Sequence, residues 1–188
     1  MLKKNLLSQK GFTIIETMVA ISILMTSVAI AVSVIRTDVL VSSVTKNAVM
    51  ARFLAQEGIE YTRHVRDSHL VDFDKTKDPT ILWLGSLESC FDGTPCTIDT
   101  SIPTVINITS CPVGGCPILK YNEFENRYGY GVGADWEETV FKREVNIADP
   151  GGGIMDTEVI VTVRVSWTER DGSDKDVVYQ QNLFNWIK

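Results

Sequence analysis

Residues 11–35 read GFTIIETMVAISILMTSVAIAVSVI, and this stretch decides how the chain is organised. From Phe12 to Ile35 its only charged residue is Glu16. A helix of this length spans roughly 36 Å at about 1.5 Å per residue, which is enough to cross a bilayer with some tilt. The stretch therefore predicts one membrane-spanning helix that carries an acidic residue near its beginning.

The charges on either side of the apolar stretch predict its orientation. Lys3, Lys4 and Lys10 precede it without any acidic residue, whereas charges of both signs follow it. An excess of lysine and arginine marks the cytoplasmic side of a membrane helix. We expect the N-terminus in the cytoplasm, a single pass through the inner (cytoplasmic) membrane, and the rest of the chain outside.

The composition of the 188-residue chain limits what the exported part can be. Its length is sufficient for one domain with a hydrophobic core. The formal net charge is −6 although the lysine-rich N-terminus contributes positive charge, so the body of the protein is acidic. Broad binding to nucleic acid, which requires a basic surface, is therefore not predicted.

The sequence stays helical but turns amphipathic over residues 36–66. Small and apolar residues recur at steps of three and four, and together they form one face: Val41, Val44, Ala48, Ala51, Ala55, Gly58, Thr62 and Val65. Because no proline interrupts the region, both halves are predicted to form one helix of about 50 residues that ends near Asp67-Ser68. A glycine on the apolar face, Gly58, indicates that a strand approaches the helix closely there.

The remainder, residues 67–188, is predicted to be a globular head. A polar connector is expected at 72–80, and residues 81–135 give no clear pattern. Alternating residues predict three strands, at 140–147, 157–167 and 177–187, joined by a loop at 149–153 (DPGGG) and a turn at 170–176 (RDGSDKD). Such short links favour an antiparallel meander. The predicted fold class is α+β, with the C-terminal half of the long helix packed on the sheet.

Four cysteines lie in the part of the head that has no clear pattern. Disulfides persist outside the cytoplasm, and four cysteines allow three connectivities. The close spacings favour local bridges, Cys90–Cys96 and Cys111–Cys116. A zinc site made of four thiolates is the alternative, although these spacings are looser than those of typical zinc-binding pairs and no histidine lies nearby. No metal and no cofactor is predicted.

A specific order of residues surrounds the beginning of the apolar stretch: Lys10, Gly11, Phe12, Thr13 and Glu16. This order resembles the N-terminus of type IV prepilins and pseudopilins, which have a short basic leader ending in glycine, then phenylalanine, and glutamate as the fifth mature residue. The resemblance implies a pilin-like fold and a leader peptide at residues 1–11. It also implies cleavage between Gly11 and Phe12 by a prepilin peptidase, which then N-methylates Phe12.

The resemblance also implies a role for Glu16 in assembly. A charged group near the centre of a bilayer costs about 2.5–3.5 kcal/mol and is usually paired. Cleavage would create an amine at Phe12, and in a filament Glu16 of one subunit would meet the Phe12 amine of its neighbour. The partners implied are other pilin or pseudopilin subunits and an assembly platform with its ATPase, in a type IV pilus or a filament of the type II secretion kind.

Two further segments resemble a narrower group, the PilV-like minor pilins. These segments are AQEGIE (55–60) and LFNW (183–186). The long irregular region before residue 135 and its cysteine loops also favour a minor subunit.

Other interpretations of the sequence remain open. A secretory signal peptide would be cut after Ala29-Ile-Ala31 and would leave Val32 as the first residue. An uncleaved anchor would make the protein a membrane-tethered binding module that never enters a filament.

We predict no enzymatic activity. His64 and His69 lack the HExxH spacing of zinc proteases. The acidic run Asp171, Asp174 and Asp176 lacks the twelve-residue calcium loop, so a hairpin turn is the preferred interpretation.

Overall fold

The computed structural model describes residues 11–76, 83–91, 93–102, 107–151 and 157–186, so the predicted leader up to Lys10 lies outside the described residues. The chain divides into two compact units, Met1–Thr45 and Lys46–Lys188. Helix α1 (Ile14–Thr76) contains residues of both units.

The predicted end of the helix near Asp67-Ser68 is wrong, because α1 continues to Thr76. Ser68 lies within the helix, and its hydroxyl donates to the carbonyl oxygen of His64 at 2.8 Å, which satisfies the hydroxyl there. Leu70 is 1% exposed, so packing supports the additional turns. Residues 72–76 of the predicted connector are therefore helical, and residues 77–80 lie outside the described part of the chain.

The second unit contains a seven-stranded antiparallel sheet. Its strands are β1 (Cys96–Asp99), β2 (Asn107–Ser110), β3 (Ile118–Asn122), β4 (Arg127–Gly129), β5 (Trp136–Ala148), β6 (Glu158–Thr168) and β7 (Asp174–Phe184). Strand β5 pairs with β1, β3 and β6; β1 also pairs with β2, β3 with β4, and β6 with β7. The predicted α+β class and the antiparallel meander of the last three strands are confirmed.

The last three strands differ from their predicted bounds at the ends. Strand β7 begins at Asp174 and not at residue 177, so the turn before it is shorter than predicted. Asp174 and Asp176 can belong to this edge strand because their side chains are exposed, so their charges remain in water. Of the predicted loop DPGGG, residues 149–151 follow β5 and the rest lies outside the described residues, as do residues 187–188.

The core lies between the helix and one face of the sheet. On β6, Val159, Val161, Val163 and Val165 are all 0% exposed, as their alternation predicts. The helix contributes a wider stripe than the one predicted, since it adds Leu54, Ile59 and Leu70 to the buried positions. Val41 and Val44 were predicted to belong to the packed face of the helix. This prediction is wrong for this chain, because their side chains are 58% and 44% exposed.

Gly58 lies at a close approach of the helix to the sheet. A Cβ atom at this position would be 3.0 Å from Cγ1 of Val163 and 3.4 Å from Cδ of Arg143. These residues belong to β6 and β5, so the predicted close approach of a strand is confirmed.

A buried arginine joins three elements of the second unit. Arg143 on β5 is 0% exposed, and its Nη1 lies 2.8 Å from Oε2 of Glu57 on the helix. The guanidinium also donates to the carbonyl oxygens of Leu54 (3.2 Å) and Ile98 (2.7 Å). Helix α1, strand β1 and strand β5 are thus connected through one charged group. The sequence pattern placed this residue on a strand but gave no sign of its role.

Tyr130 lies beside this group in the interior. Its hydroxyl is buried without a hydrogen-bond partner among the described residues. Burial raises the pKa of Tyr130 to about 12, and the nearby Arg143 opposes that rise. The phenol is therefore neutral at physiological pH, next to a permanently charged guanidinium.

A second buried polar contact joins helix α1 to the turn between β6 and β7. On the helix it involves Asn47, near the beginning of the second unit. The carboxylate of Glu169, 7% exposed, accepts a hydrogen bond from Nε1 of Trp167 at 2.6 Å. It also accepts one from Nδ2 of Asn47 at 3.2 Å. Both oxygens of the buried carboxylate are thus hydrogen-bonded, which offsets the cost of removing it from water.

Both predicted disulfides are present. Cys90, in a short 3₁₀ helix (Gly85–Cys90), is bonded to Cys96 of β1, and Cys111 is bonded to Cys116. The alternative of a four-thiolate zinc site is therefore wrong, because no thiolate is left to bind metal.

The two bridges are expected to differ in their effect on stability. Their sequence separations, 6 and 5 residues, are nearly equal, so loop closure accounts for about 2 kcal/mol in each. Cys90 and Cys96 are both 0% exposed, and replacing this pair by alanine should cost about 3–4 kcal/mol because it also leaves a cavity. Replacing Cys111 and Cys116 should cost about 2 kcal/mol. Urea unfolding of the two double variants measures the difference; equal losses would contradict it.

Candidate processing and assembly site

The predicted cleavage junction lies immediately before the helix. Gly11, Phe12 and Thr13 are not helical, and α1 begins at Ile14. The side-chain oxygen of Thr13 accepts a hydrogen bond from the backbone N–H of Glu16, at 3.3 Å. This is the geometry of a helix N-cap, in a T-x-x-E order typical of a capping box. Thr13 therefore has a structural role that we did not assign from the sequence, although the T-x-x-E order could have indicated it.

The residues of the junction are exposed in the chain. Phe12 is 81% exposed, and among the described residues other than the chain neighbours of Gly11, no atom lies within 4 Å of the position that a Cβ at Gly11 would occupy. Among the described residues, the Glu16 carboxylate has no hydrogen-bond or ion-pair partner. In the precursor the nitrogen of Phe12 is part of a peptide bond and carries no charge. Only cleavage after Gly11 would convert it into a cationic amine.

The helix beyond the junction has the properties of a membrane segment. Ile14–Ile35 has a mean hydropathy of 2.5, and none of it is buried within the chain. It is long and apolar enough to cross a membrane by length and composition, and it is compatible with single-pass anchoring.

The hydroxyl groups in this segment bond within the helix. The side chains of Thr17, Ser22, Thr26, Ser27 and Ser33 donate to backbone carbonyls three or four residues earlier. Such bonds satisfy the hydroxyls without water or a partner chain. Glu16 is consequently the side chain of this segment that most needs a partner.

The N-terminal region matches a family model described as the prokaryotic N-terminal methylation motif, over residues 6–32. The match crosses the Gly11–Phe12 junction and includes Glu16. The methylation motif supports a type IV pilin-like precursor and favours a structural, non-enzymatic protein. Comparison with curated proteins and with solved structures gives no significant match.

The segments that resemble PilV-like minor pilins both contribute to packing. In AQEGIE, Ala55 and Ile59 are buried, and Glu57 pairs with Arg143. In LFNW, Leu183 is buried and Trp186 is 59% exposed. Both segments lie outside the region that matches the methylation motif.

The remaining candidate residues do not form a metal site among the described residues. His64 is exposed on the helix, whereas the ring of His69 lies against Gly85.

The acidic run near the turn is likewise dispersed. Hydrogen bonds from Ser173 lower the pKa of Asp171, Asp174 accepts one from Thr168, and Asp176 lies 3.7 Å from Arg164. Each carboxylate has its own neighbour, and the three do not converge.

Proposed function

We propose that this protein is a minor pilin or pseudopilin that is processed and assembled into a filament. A prepilin peptidase would cut between Gly11 and Phe12 and methylate the new amine of Phe12. The observation that carries the proposal is the methylation motif, whose match spans this junction. The exposure of Gly11 and Phe12 supports it, because a peptidase needs access to both.

Assembly would take place through residues 12–35. Their apolar side chains are exposed in the isolated chain and would be covered first by lipid and then by neighbouring subunits. Glu16 of one subunit would pair with the Phe12 amine of the next. The N-terminus would face the cytoplasm, and the head would lie in the periplasm or at the surface. The partners would be other pilin or pseudopilin subunits and the assembly platform.

The role would be that of a minor subunit without catalysis of its own. The part of the head between the helix and β5 is built from a 3₁₀ helix, short strands and two disulfide loops. This irregular region supports a specialised subunit, as do the two PilV-like segments.

Intact-mass and N-terminal analysis of the chain tests the processing step. In cells that contain a prepilin peptidase, we expect residues 1–11 to be absent and one methyl group to be present on Phe12. In matched cells without the peptidase, the full precursor should remain.

Two results of this measurement would contradict the proposal. An uncleaved chain in both strains would favour a membrane-tethered binding module. A mature chain that starts at Val32 would favour a secretory signal peptide.

A further inference from the structure

Strand β7 is an edge of the sheet that has few of the features by which proteins protect such an edge. Among the described residues it pairs with β6 alone, residue for residue, from Glu158 with Phe184 to Thr168 with Asp174. It therefore contains no bulge, and residues 177–184 include no charge, proline or glycine. An edge of this kind tends to pair with a further strand, because its outer side carries backbone N–H and C=O groups that no strand satisfies.

One hydrogen bond shows which backbone groups of β7 point away from β6. The N–H of Asn185 donates at 2.8 Å to the carbonyl oxygen of Thr157, the residue before β6, so Asn185 points toward that strand. Successive residues of an antiparallel strand point in alternate directions. The residues whose backbone groups point outward are therefore Val178, Gln180, Asn182 and Phe184. Arg66 donates to the carbonyl oxygen of Phe184 at 3.4 Å, whereas the outward groups of the other three have no partner among the described residues.

The part of β7 that carries these outward groups has a chemically symmetric sequence. Residues 178–184 read VYQQNLF, in which two apolar or aromatic residues flank three amides on either side. If a second copy pairs antiparallel with this stretch about Gln181, apolar residues lie opposite apolar residues and amides lie opposite amides. The resulting pairs are Val178 with Phe184, Tyr179 with Leu183, and Gln180 with Asn182. The strand is thus complementary to itself when it is reversed.

The backbone and the charges fit the same antiparallel register. Gln180 of one copy and Asn182 of the other both point outward, so this pair can exchange two backbone hydrogen bonds. The charged beginning of β7, residues 174–176, lies beyond the symmetric stretch of the other copy, where Asp176 is opposite Trp186. A parallel, in-register pair would instead place Asp176 opposite Asp176, and like charges directly opposite each other are destabilising.

We propose that β7 pairs with β7 of a second copy of this chain about a two-fold axis at Gln181, which joins the two sheets into one. The pairing would cover side chains that are exposed in the isolated chain: Val178 (44%), Tyr179 (39%) and Phe184 (52%). A contact in which both copies use the same surface is the commonest kind in homo-oligomers. It is separate from the proposed filament contact, which would form through residues 12–35.

Disulfide cross-linking of the full chain in non-ionic detergent micelles tests this register. No native cysteine is free, so a substituted cysteine is the single available thiol. Gln181→Cys would place two thiols opposite each other at the axis, in a pair without backbone hydrogen bonds whose Cα atoms are about 4.5 Å apart, within disulfide range. Gln180→Cys is the matched control, because it lies opposite Asn182 of the other copy. With a mild oxidant, Gln181→Cys should form linked dimers about fivefold or more faster than Gln180→Cys.

Charge repulsion across the axis provides a second test. Adding Gln180→Lys and Asn182→Lys to Gln181→Cys would place lysine opposite lysine twice, and cross-linking should become about fivefold slower. Circular dichroism of this variant checks that the sheet is retained. Monomeric Gln181→Cys, equal cross-linking of the two single cysteine variants, or undiminished cross-linking in the presence of the lysines would each overturn the proposal. None of these measurements depends on processing or filament formation.

Discussion

Replacing Glu16 by alanine is expected to reduce incorporation of the chain into filaments by about tenfold or more, while membrane insertion is retained. In the proposed filament, the variant leaves the Phe12 amine of a neighbouring subunit without its counter-ion in apolar surroundings. Leaving one charge of a buried pair uncompensated is strongly unfavourable, and a tenfold change needs only about 1.4 kcal/mol. The helix itself should persist, because Thr13 caps it through the backbone N–H of residue 16, which alanine also has.

The measurement compares the amount of the chain in purified filaments with the amount in membranes. Ser22→Ala is a matched control in the same helix, since its hydroxyl bonds only to the carbonyl of Met18 among the described residues. Its incorporation should equal that of the unmodified chain. N-terminal analysis of each variant separates a processing defect from an assembly defect. Undiminished incorporation of the processed Glu16→Ala chain would rule out the pairing of Glu16 with Phe12.

Replacing Glu57 by alanine is expected to lower the free energy of unfolding by about 3 kcal/mol, which is more than the loss from Arg143→Met. The asymmetry follows from burial: the Arg143 side chain is 0% exposed, whereas that of Glu57 is 43% exposed. Without Glu57, a charged guanidinium stays in the core with only backbone carbonyls as partners. Without Arg143, the Glu57 carboxylate can be solvated, and methionine fills the vacated volume, so about 1 kcal/mol should be lost.

Urea unfolding of the full chain in detergent, followed by tryptophan fluorescence, measures both losses. Glu60→Ala is the matched control, because Glu60 lies on the same helix with a 53% exposed side chain and pairs with Arg63 at the surface. It should change stability by no more than about 0.5 kcal/mol. Combining Glu57→Ala with Arg143→Met should cost less than the sum of the single variants. A greater loss from Arg143→Met than from Glu57→Ala would show that an unpaired, buried guanidinium is not the main source of destabilisation.

Local periodicity explains why much of the fold was predictable. The strands around residues 140–147 and 157–167 alternate over eight or more positions, and both were found with small shifts at their ends. The strands β1 to β4 were not predicted, because segments of three to five residues show too little alternation to be distinguished from loops. The helix end was also misplaced, since the burial of Leu70 depends on contacts distant in sequence.

The match to the methylation motif and the apolar segment were determined by the sequence alone, and the cysteine spacing favoured the two local disulfides that the structure contains. Each depends on residues that are close along the chain: Gly11 with Glu16, Cys90 with Cys96, Cys111 with Cys116. The tertiary structure alone decided that Arg143 is buried against Glu57, 86 residues away, and that Glu169 accepts a hydrogen bond from Asn47, 122 residues away. Such pairs form only when the helix packs on the sheet, and a charged residue on a strand, such as Arg143, can face either side of the sheet until that packing selects one.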